Sequence, residues 1–493
     1  MTQPHTPSTP RLFPIIAASS AGTLIEWYDF YIFASLSVVL SSQFFPESEG
    51  IVGFIKTLAI IWIGFVVRPF GALVFGRMGD LIGRKHTFLV TLIMMGGATF
   101  AIGLLPTYKQ AGILSPILLL SLRILQGLAL GGEYGGAATY VAEHCPDHRR
   151  GLYTSFIQTT ATLSLFASLG VILFCRTVLF DKAEFESWGW RVPFWLSLVL
   201  VIFSFVLRMR LRESPLFARM KAEGRGSTQP LRESFTKWPN LKLVLLALFG
   251  ATAGQGVVWY TGQFYALAFV QKTMLVEFTQ SNIIIAAALL IATPFFVFWG
   301  WLSDLIGRKW IIIAGCVLAV ATYLPIYHAM SRLGDPTLKQ ESPALPMPNA
   351  RAYTDGSIAQ FTADPTPKLA QIHLGRGPAI RLSLLIALQV FYVTMVYGPI
   401  AAFLVELFPT RIRYTSMSLP YHIGNGVFGG MVPFAATWIA AHYAGRSGGL
   451  VDAVGGAKFL GLIYPMTVAL LTIVVGVVLV RERRNVSLGS SSP

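Results

Sequence analysis

The chain is short of charged residues. Only 12% of its 493 residues are Asp, Glu, Lys or Arg, whereas 54% are hydrophobic. A soluble domain usually carries about 25% charged residues. Because so little charge cannot cover the exterior of a soluble protein of this size, the composition predicts an integral membrane protein.

The sequence is also poor in cysteine and lacks catalytic signatures. Cys145, Cys175 and Cys316 are scattered, so they indicate neither a metal site nor a disulfide framework. A Gly-x-x-x-x-Gly-Lys-Ser/Thr pattern is missing, which leaves an ATP-driven pump within this chain unsupported. No nucleophile–base pair or metal-ligand cluster favours an enzyme. We therefore expect no enzymatic activity, no cofactor and no metal site.

Long apolar runs fill most of the chain. Twelve of them reach roughly the twenty residues with which a helix crosses a bilayer, and the alternating ten-residue segments of a β-barrel are not evident. Backbone polar groups in lipid must be satisfied within the segment, so each run is interpreted as a transmembrane helix. The runs lie at 13–40, 52–75, 87–105, 112–141, 151–175, 190–209, 243–270, 281–302, 310–330, 379–405, 415–443 and 457–480.

A repeated ten-residue motif relates two halves of the chain. Gly76 to Lys85 reads Gly-Arg-Met-Gly-Asp-Leu-Ile-Gly-Arg-Lys, and Gly300 to Lys309 reads Gly-Trp-Leu-Ser-Asp-Leu-Ile-Gly-Arg-Lys. Seven positions are identical and the offset is 224. A repeat spaced by about half the chain indicates two related halves. The predicted divisions are a first half at 1–209, a central loop at 210–242 and a second half at 243–493.

A second repeat locates an insertion. Glu143-x-x-Pro146-x-x-x-Arg150 follows the fourth run, and Glu406-x-x-Pro409-x-x-x-Arg413 follows the tenth. Their offset is 263, larger than the 224 of the first repeat, so the second half has gained residues between the two repeats. The polar stretch 331–378 lies there. We expect it to be a partly disordered loop or small excursion, with gating or reception as alternative roles.

Lysine and arginine concentrate in the loops at one end of the predicted bundle. These loops are the two motif loops, those after the fourth and tenth runs, the 210–242 loop and both chain ends. Cytoplasmic loops carry such an excess, so both termini are predicted to be cytoplasmic and 331–378 to lie outside. The formal net charge of +15 is then a topology signal, and nucleic-acid binding is not expected.

Several motifs resemble one protein family. The Gly76–Lys85 stretch and Arg123-Ile124-Leu125-Gln126-Gly127 resemble the signature loop and fourth-helix motif of the major facilitator superfamily. Four further stretches are similar to its metabolite:proton symporters, which handle organic acids, and zwitterions such as proline and betaine. They are Glu26-Trp27-Tyr28-Asp29-Phe30-Tyr31, Arg68-Pro69-Phe70-Gly71, Gly131-Gly132-Glu133-Tyr134-Gly135-Gly136 and Trp190-Arg191-Val192-Pro193-Phe194.

The resemblance covers nearly the whole chain except 331–378. It implies an all-α membrane protein, with twelve transmembrane helices in two pseudo-symmetric six-helix bundles. It also implies transport by alternating access, with protons as the coupling ion.

Few ionisable residues lie inside the predicted helices, and a charge at bilayer depth is costly unless it is paired or hydrated. Glu26 and Asp29 are three residues apart and share a helix face. Two nearby carboxylates do not easily ionise together, so one of them is expected to hold a proton, which suits proton coupling. Structural pairing with an arginine is the alternative. Glu133, among glycines, is assigned the same role, with a structural hydrogen bond as its alternative.

The predicted substrate site combines one arginine with uncharged polar side chains. Arg123, about one turn before Gln126, offers a planar fork that suits a substrate carboxylate or an internal acid. Aromatic and amide side chains of the second half suit recognition of a small polar ligand, with helix packing as the alternative for each. The predicted substrate-binding residues are Tyr28, Arg123, Gln126, Trp259, Tyr260, Gln263, Gln389 and Tyr392.

Charged residues near the loops are predicted to form a cytoplasmic gate. Asp80 follows the second run and Arg84 and Lys85 precede the third, where they can pair with one another and with helix ends. Contacts made only when this side is closed would bias the conformational equilibrium, and membrane anchoring is the alternative. The first motif copy is the more charged and is expected to contribute more. The predicted gate residues are Asp80, Arg84, Lys85, Glu143, Arg150, Asp304, Arg308, Glu406 and Arg413.

The sequence therefore predicts a secondary active transporter of the inner membrane. It would take up a small organic acid (a di- or tricarboxylate, a keto acid or a shikimate-like acid) with protons, as a monomer in the lipid bilayer. Two alternatives stay open: transport of a zwitterionic osmolyte, and a transporter-like receptor, which the 331–378 insert invites.

Overall fold

The computed structural model describes residues 12–46, 51–209, 213–342, 349–363, 366–482 and 488. Its helices coincide with all twelve predicted spans, which we number 1 to 12. Spans 1 to 6 are Leu12–Ser35 with Ser37–Phe44, Ile51–Val66 with Arg68–Leu81, Arg84–Ile102, Leu114–His144, Asp147–Phe174 and Arg191–Met209. Spans 7 to 12 are Trp238–Thr273, Phe278–Ile306, Lys309–Gly334, Arg376–Leu407, Arg413–His442 and Ala457–Leu479.

The first two spans are broken helices. Ten of the described helices are long and apolar enough to cross a membrane, or eleven when the two parts of span 1, bent by 66°, count as one. Span 2 is interrupted at Val67, and Pro69 lies in the first turn of its second helix. Proline lacks an N–H group and clashes with the preceding turn, so a helix tends to restart there. The break places the buried Arg68 inside the bundle.

Two pairs of spans, related by the repeat, join the halves at the end that carries the motifs, here called the motif end. Span 2 packs against span 11, and span 5 packs against span 8. The first glycine of each motif lies in these contacts. A Cβ added to Gly76 would lie 2.9 Å from the Cα of Thr415, and one added to Gly300 would lie 2.7 Å from the carbonyl oxygen of Gly151. The absence of a side chain therefore allows the close approach of the halves.

The central loop is partly helical and shorter than predicted. It contains the helices Pro215–Ala222 and Pro230–Phe235, each opened by a proline. Span 7 already begins at Trp238, inside the predicted loop. Ser416 of span 11 donates to the hydroxyl oxygen of Ser234 at 2.8 Å, so the loop contacts the motif end.

The described residues of the insert between spans 9 and 10 are folded, so of the two expected forms, a loop or a small excursion, they take the second. The flanking helices end at Gly334 and begin at Arg376, so the insert is shorter than 331–378. Its described residues form an antiparallel sheet in the order β1-β2-β3, with Ala359 and Ile372 completely buried. The chain is thus all-α only in its spans. The strands are β1 (Ala350–Ala352), β2 (Ile358–Phe361) and β3 (Leu369–His373).

Candidate functional site

The first motif copy contacts the second half through Asp80 and Arg84. Asp80 Oδ2 accepts hydrogen bonds from the backbone N–H (2.9 Å) and the hydroxyl (2.7 Å) of Thr415, near the start of span 11. A carboxylate is favourable there because the first N–H groups of a helix lack intrahelical partners. Arg84 donates to Asp80 Oδ1 at 2.6 Å and to the carbonyl oxygen of Thr410, across the interface, at 3.1 Å.

The second motif copy makes the corresponding contact in the opposite direction. Asp304 accepts hydrogen bonds from the backbone N–H groups of Gly151 and Leu152, both at 2.8 Å, at the start of a helical segment of span 5. Arg308 lies 2.9 Å from Asp304. The extra charge of the first copy, Arg77, is exposed. The expectation that the first copy contributes more stays a prediction.

Two buried glutamates hold arginines across the interface. Arg413 donates to Glu143 Oε1 at 2.9 Å. Arg150 donates across the interface to Glu406 Oε1 at 2.7 Å, and Arg308, of the same half as Glu406, donates to the same oxygen at 2.9 Å. Charges removed from water need such partners, so losing one member leaves an uncompensated charge. All the predicted gate residues except Lys85 thus belong to a network of ion pairs and helix-end contacts at the motif end, the gate network.

Two further glutamates, which the sequence reasoning missed, support the gate network. Glu213 accepts hydrogen bonds from two backbone N–H groups at the start of span 3, at 3.1 and 3.3 Å. Glu482 does the same at the start of span 9, at 3.0 and 2.9 Å. A signal was available, since each follows an arginine just beyond the sixth or twelfth span. Lys85 donates to the carbonyl oxygen of Met209 at 2.9 Å, within its own half.

A polar cluster is buried inside the first half. Arg123 Nη1 donates to Asp29 Oδ2 and to Gln126 Oε1, both at 2.9 Å. Gln126 Nε2 donates to Asp29 Oδ1 and to the hydroxyl oxygen of Thr99, also at 2.9 Å. The guanidinium lies 3.7 Å from the centre of the Phe33 ring, a cation–π contact. The structure therefore joins three predicted site residues in one network.

This cluster lines a small cavity. Its volume is about 20 Å³, room for about one water molecule. A metabolite needs more space, so the halves must separate on one side before a ligand reaches Asp29 and Arg123. The lining residues are Asp29, Phe30, Gly64, Phe65, Arg68, Arg123, Gln126, Gly127 and Leu130.

Each predicted proton-coupling carboxylate has its own arginine. Glu26 accepts from Arg68 at 3.2 Å, and Glu133 forms an ion pair with Arg208. The structure therefore favours arginine pairing over a mutual Glu26–Asp29 interaction, because an opposite charge stabilises an ionised carboxylate and a like charge does not. Arg208, near the end of span 6, is fully buried. Proton coupling by these carboxylates stays a prediction.

Aromatic rings from both halves meet beside the cavity. The centroids of Trp27 and Trp259 are 4.8 Å apart, and Phe264 lies 5.2 Å from Phe30 and 6.3 Å from Tyr31. The Trp259 indole N–H is buried and has no hydrogen-bond partner among the described residues. We call these five residues the aromatic cluster. A Trp-Tyr dipeptide recurs in spans 1 and 7, a signal that the sequence reasoning did not use.

The remaining predicted substrate residues divide into two groups. Tyr260 packs on Phe65 at the interface of the halves, with ring centroids 5.9 Å apart, and Gln263 is buried one turn further along span 7. Tyr28, Gln389 and Tyr392 are not brought to the cavity, because their polar atoms face neighbouring spans.

The contacts of these three residues are specific. The Tyr28 hydroxyl donates to the carbonyl oxygen of Pro193 at 3.1 Å, and a rotation of about 100° per residue turns Tyr28 away from Trp27. The Tyr392 hydroxyl accepts from Thr322 at 3.1 Å. Gln389 donates to the Met330 sulfur at 3.3 Å. Packing, the alternative for each, accounts for these placements.

Comparison with known proteins agrees with this architecture. Residues 15–246 match the family described as "Sugar (and other) transporter". The proton:xylose symporter XylE bound to 6-bromo-6-deoxy-D-glucose has a similar fold, with a TM-score of 0.71 at 17% identity, covering 97% of this chain and 98% of that one. At this identity the likeness concerns the fold alone.

Two relatives are closer in sequence. The inner membrane metabolite transport protein YhjE of Escherichia coli (strain K12) is 32% identical over 467 residues, covering 94% of this chain and 95% of YhjE. A putative proline/betaine transporter of Staphylococcus aureus (strain COL) is 30% identical over 428 residues, covering 86% and 81%. Given such identity over nearly its full length, the chain belongs to the major facilitator superfamily, in the branch of these metabolite and proline/betaine transporters, and is a multi-pass membrane transporter rather than an enzyme.

Proposed function

We propose that this transporter takes up a small organic acid together with a proton across the inner membrane, with both termini in the cytoplasm. The observation that carries the proposal is the Asp29–Arg123 ion pair, which lines the cavity. A di- or tricarboxylate, a keto acid or a shikimate-like acid supplies the carboxylate that this arginine suits.

The ion pair couples the proton to the substrate by exchange of partners. When Asp29 is ionised, its oxygens accept from Arg123 and Gln126. A proton on Asp29 removes the charge that holds the guanidinium, and Arg123 then presents its donors to a substrate carboxylate. Either event alone leaves an unpaired charge away from water, which is costly. The two together leave the charge of the pair unchanged, because one substrate carboxylate replaces the Asp29 carboxylate beside Arg123, so a proton and that carboxylate load together.

The gate network determines on which side the site is closed. Its cross-half contacts, such as Asp80 with Thr415 and Arg150 with Glu406, exist in the conformation closed at the motif end. Release into the cytoplasm requires these contacts to break, and uptake requires them to re-form, which is alternating access. The site is built within one chain, so we propose that a monomer in the bilayer suffices, with no cofactor besides the proton.

Transport of a zwitterionic osmolyte is the second candidate, and the aromatic cluster favours it. Ring faces attract a quaternary ammonium group. Trp27, Tyr31, Trp259 and Phe264 supply such faces in the cluster whose fifth member, Phe30, lines the cavity with Arg123. The staphylococcal relative bears the name of a putative proline/betaine transporter. In this alternative Arg123 binds the carboxylate and the rings contact the cationic group.

A binding screen followed by uptake in proteoliposomes tests the proposal. Thermal shifts with dicarboxylates, tricarboxylates, aromatic acids, proline and glycine betaine select a ligand, whose labelled form is then supplied under an inward proton gradient. We expect an acid to accumulate and an uncoupler to abolish accumulation. Accumulation of betaine or proline instead of any acid would support the second candidate. Binding without uptake would support a receptor and contradict both.

A further inference from the structure

The folded insert is attached to the end of span 7 that lies opposite the motif end, here called the outer end. Strand β3 extends onto the segment between spans 7 and 8. Ile372 donates its N–H to the carbonyl oxygen of Leu275 at 2.8 Å and accepts from the N–H of Glu277 at 2.9 Å. Val276, between them, is buried with Ile372 in one apolar core. Leu275 has a φ of 56°, in the left-handed region that costs a non-glycine residue free energy. Surrounding contacts therefore hold this segment in place.

A side chain of span 8 strengthens the attachment. The Gln280 amide nitrogen donates to the carbonyl oxygen of Leu374, and its amide oxygen accepts from the N–H of the same residue, both at 2.7 Å. Leu374 is almost completely buried. The insert also continues directly into spans 9 and 10. It therefore ties the outer ends of spans 7 and 8 to those of spans 9 and 10.

Span 7 is the span on which such an attachment has most effect. It contains three π-helical segments, Leu248–Thr252, Thr261–Tyr265 and Phe269–Thr273. Helices bend readily at such segments, which are frequent at functional sites. The second segment carries Phe264, which contacts the rings of span 1, and the third ends just before the attached segment. A movement of the outer end is thus transmitted to the aromatic cluster.

We propose that the insert is a clamp that holds the outer end of span 7, so that the span 7 rings stay packed against span 1. Loosening the clamp lets this side of the transporter open more often. The assignment of this side to the cell exterior rests on the proposed function, whereas the contacts of the clamp do not.

A reporter cysteine tests the clamp in the full-length protein. Gln263→Cys places a thiol at a position that is 5% exposed, one turn from Trp259, and its labelling by a membrane-impermeant maleimide reports opening. Adding Gln280→Ala removes the two hydrogen bonds with Leu374, and we expect labelling to become about tenfold faster. The matched control is Glu341→Gln, which weakens an exposed ion pair of the insert with Arg351 and should leave labelling unchanged.

A disulfide cross-link tightens the attachment of the insert instead of loosening it, and it can be formed and reduced in the same folded protein. Val276→Cys with Ile372→Cys, added to the reporter, joins β3 to the attached segment when oxidised. Labelling should slow on oxidation and recover on reduction. Unchanged labelling in both experiments overturns the clamp, as does faster labelling in the Glu341→Gln control. Faster labelling from the opposite membrane face refutes only the proposed orientation. If labelling changes as expected but the unmodified protein shows no proton-driven uptake, only the proposed function is refuted.

Discussion

The two halves of this transporter contribute equivalent charged residues to the motif end but different residues to the interior. At the motif end each half supplies an aspartate that contacts a helix start across the interface, Asp80 and Asp304. Each half also supplies a glutamate that holds arginines, Glu143 and Glu406. In the interior the three carboxylate–arginine pairs all belong to the first half. Among the described residues, the buried Asp, Glu, Lys and Arg side chains of the second half lie at the motif end.

In the proposed mechanism the motif end serves conformational closure, whereas the interior serves proton coupling. At the motif end the repeated aspartates of both halves make equivalent contacts with a helix start of the other half. A buried charge is costly unless it is paired, and one proton-dependent ion pair is enough for the proposed coupling. The second half contributes Trp259, Tyr260 and Phe264 to the interior instead, which suits contact with the uncharged part of a ligand.

The largest expected effect comes from removing the charge of Asp29, on which the proposed coupling in the first half depends. Asp29→Asn should abolish proton-driven accumulation, a loss of roughly 100-fold or more, while sparing some exchange, because the amide cannot gain or lose the proton. In proteoliposomes, uptake under a proton gradient measures the accumulation, and a separate counterflow assay measures the exchange. Asp29→Glu is the control that keeps the titratable group. Unchanged accumulation in Asp29→Asn would rule out coupling through this residue.

The symmetry of the gate network is tested by a pair of matched substitutions. Asp80→Asn and Asp304→Asn should both shift the equilibrium towards the state open at the motif end, by about tenfold for Asp304→Asn and by more for Asp80→Asn. Each weakens charge-assisted hydrogen bonds to a helix start, and the first motif copy is expected to contribute more. Turnover should slow while the substrate affinity remains. Labelling of a cysteine at the motif end and ligand-induced thermal shifts measure this. A much larger effect of Asp80→Asn would show that the first copy dominates. Lost binding with intact conformational exchange would contradict the gate.

The close approach at the repeated glycines should show a second symmetric effect, of comparable size. Gly76→Ala and Gly300→Ala add a methyl group against backbone of the other half, and overpacking of this kind costs about 1–3 kcal/mol. We expect both to disfavour closure at the motif end, seen as faster labelling there. Gly97→Ala is the control, because nothing lies within 4 Å of its added Cβ. Equal labelling in all three variants would contradict the packing role of the motif glycines.

The smallest expected effect concerns the insert, which one half has and the other lacks. Burial opposes ionisation of Asp355, but the ion pair with Lys339 and hydrogen bonds from Ser357 outweigh it and lower the pKa of Asp355. Because its pKa is lower in the folded state, ionised Asp355 stabilises the insert above the ordinary Asp pKa of about 3.9. This contribution to stability is lost as the pH falls through the folded-state pKa. Water screens this partly exposed pair, so the contribution is below about 1 kcal/mol.

Proteolysis with an acid protease measures this contribution. Cleavage of the insert should accelerate below about pH 4 in the unmodified protein, with a weaker pH dependence in Asp355→Asn. An identical pH dependence in the two proteins would exclude Asp355 as the titrating group.

The sequence alone determined the twelve spans, the two halves and the position of the insert. Apolar run length and repeat spacing are local properties, so folding does not alter them. The residue types at the motif end were also enough to predict the gate network, because acids and bases at helix ends have few other partners. Glu213 and Glu482 follow the same rule and could have been found from their position after the last span of each half.

Tertiary structure decided which side chains meet. The spacing of Glu26 and Asp29 placed them on one face, yet each pairs with an arginine of another span, Arg68 or Arg123. Sequence spacing does not reveal such partners. The rotation of each helix about its axis turned the side chains of Tyr28, Gln389 and Tyr392 towards neighbouring spans. It brought the rings of Trp27 and Trp259 into contact. The polar composition of the insert hid a sheet whose few buried residues, such as Ile372, are paired through backbone hydrogen bonds. Such contacts depend on packing between distant segments, which composition and periodicity do not encode.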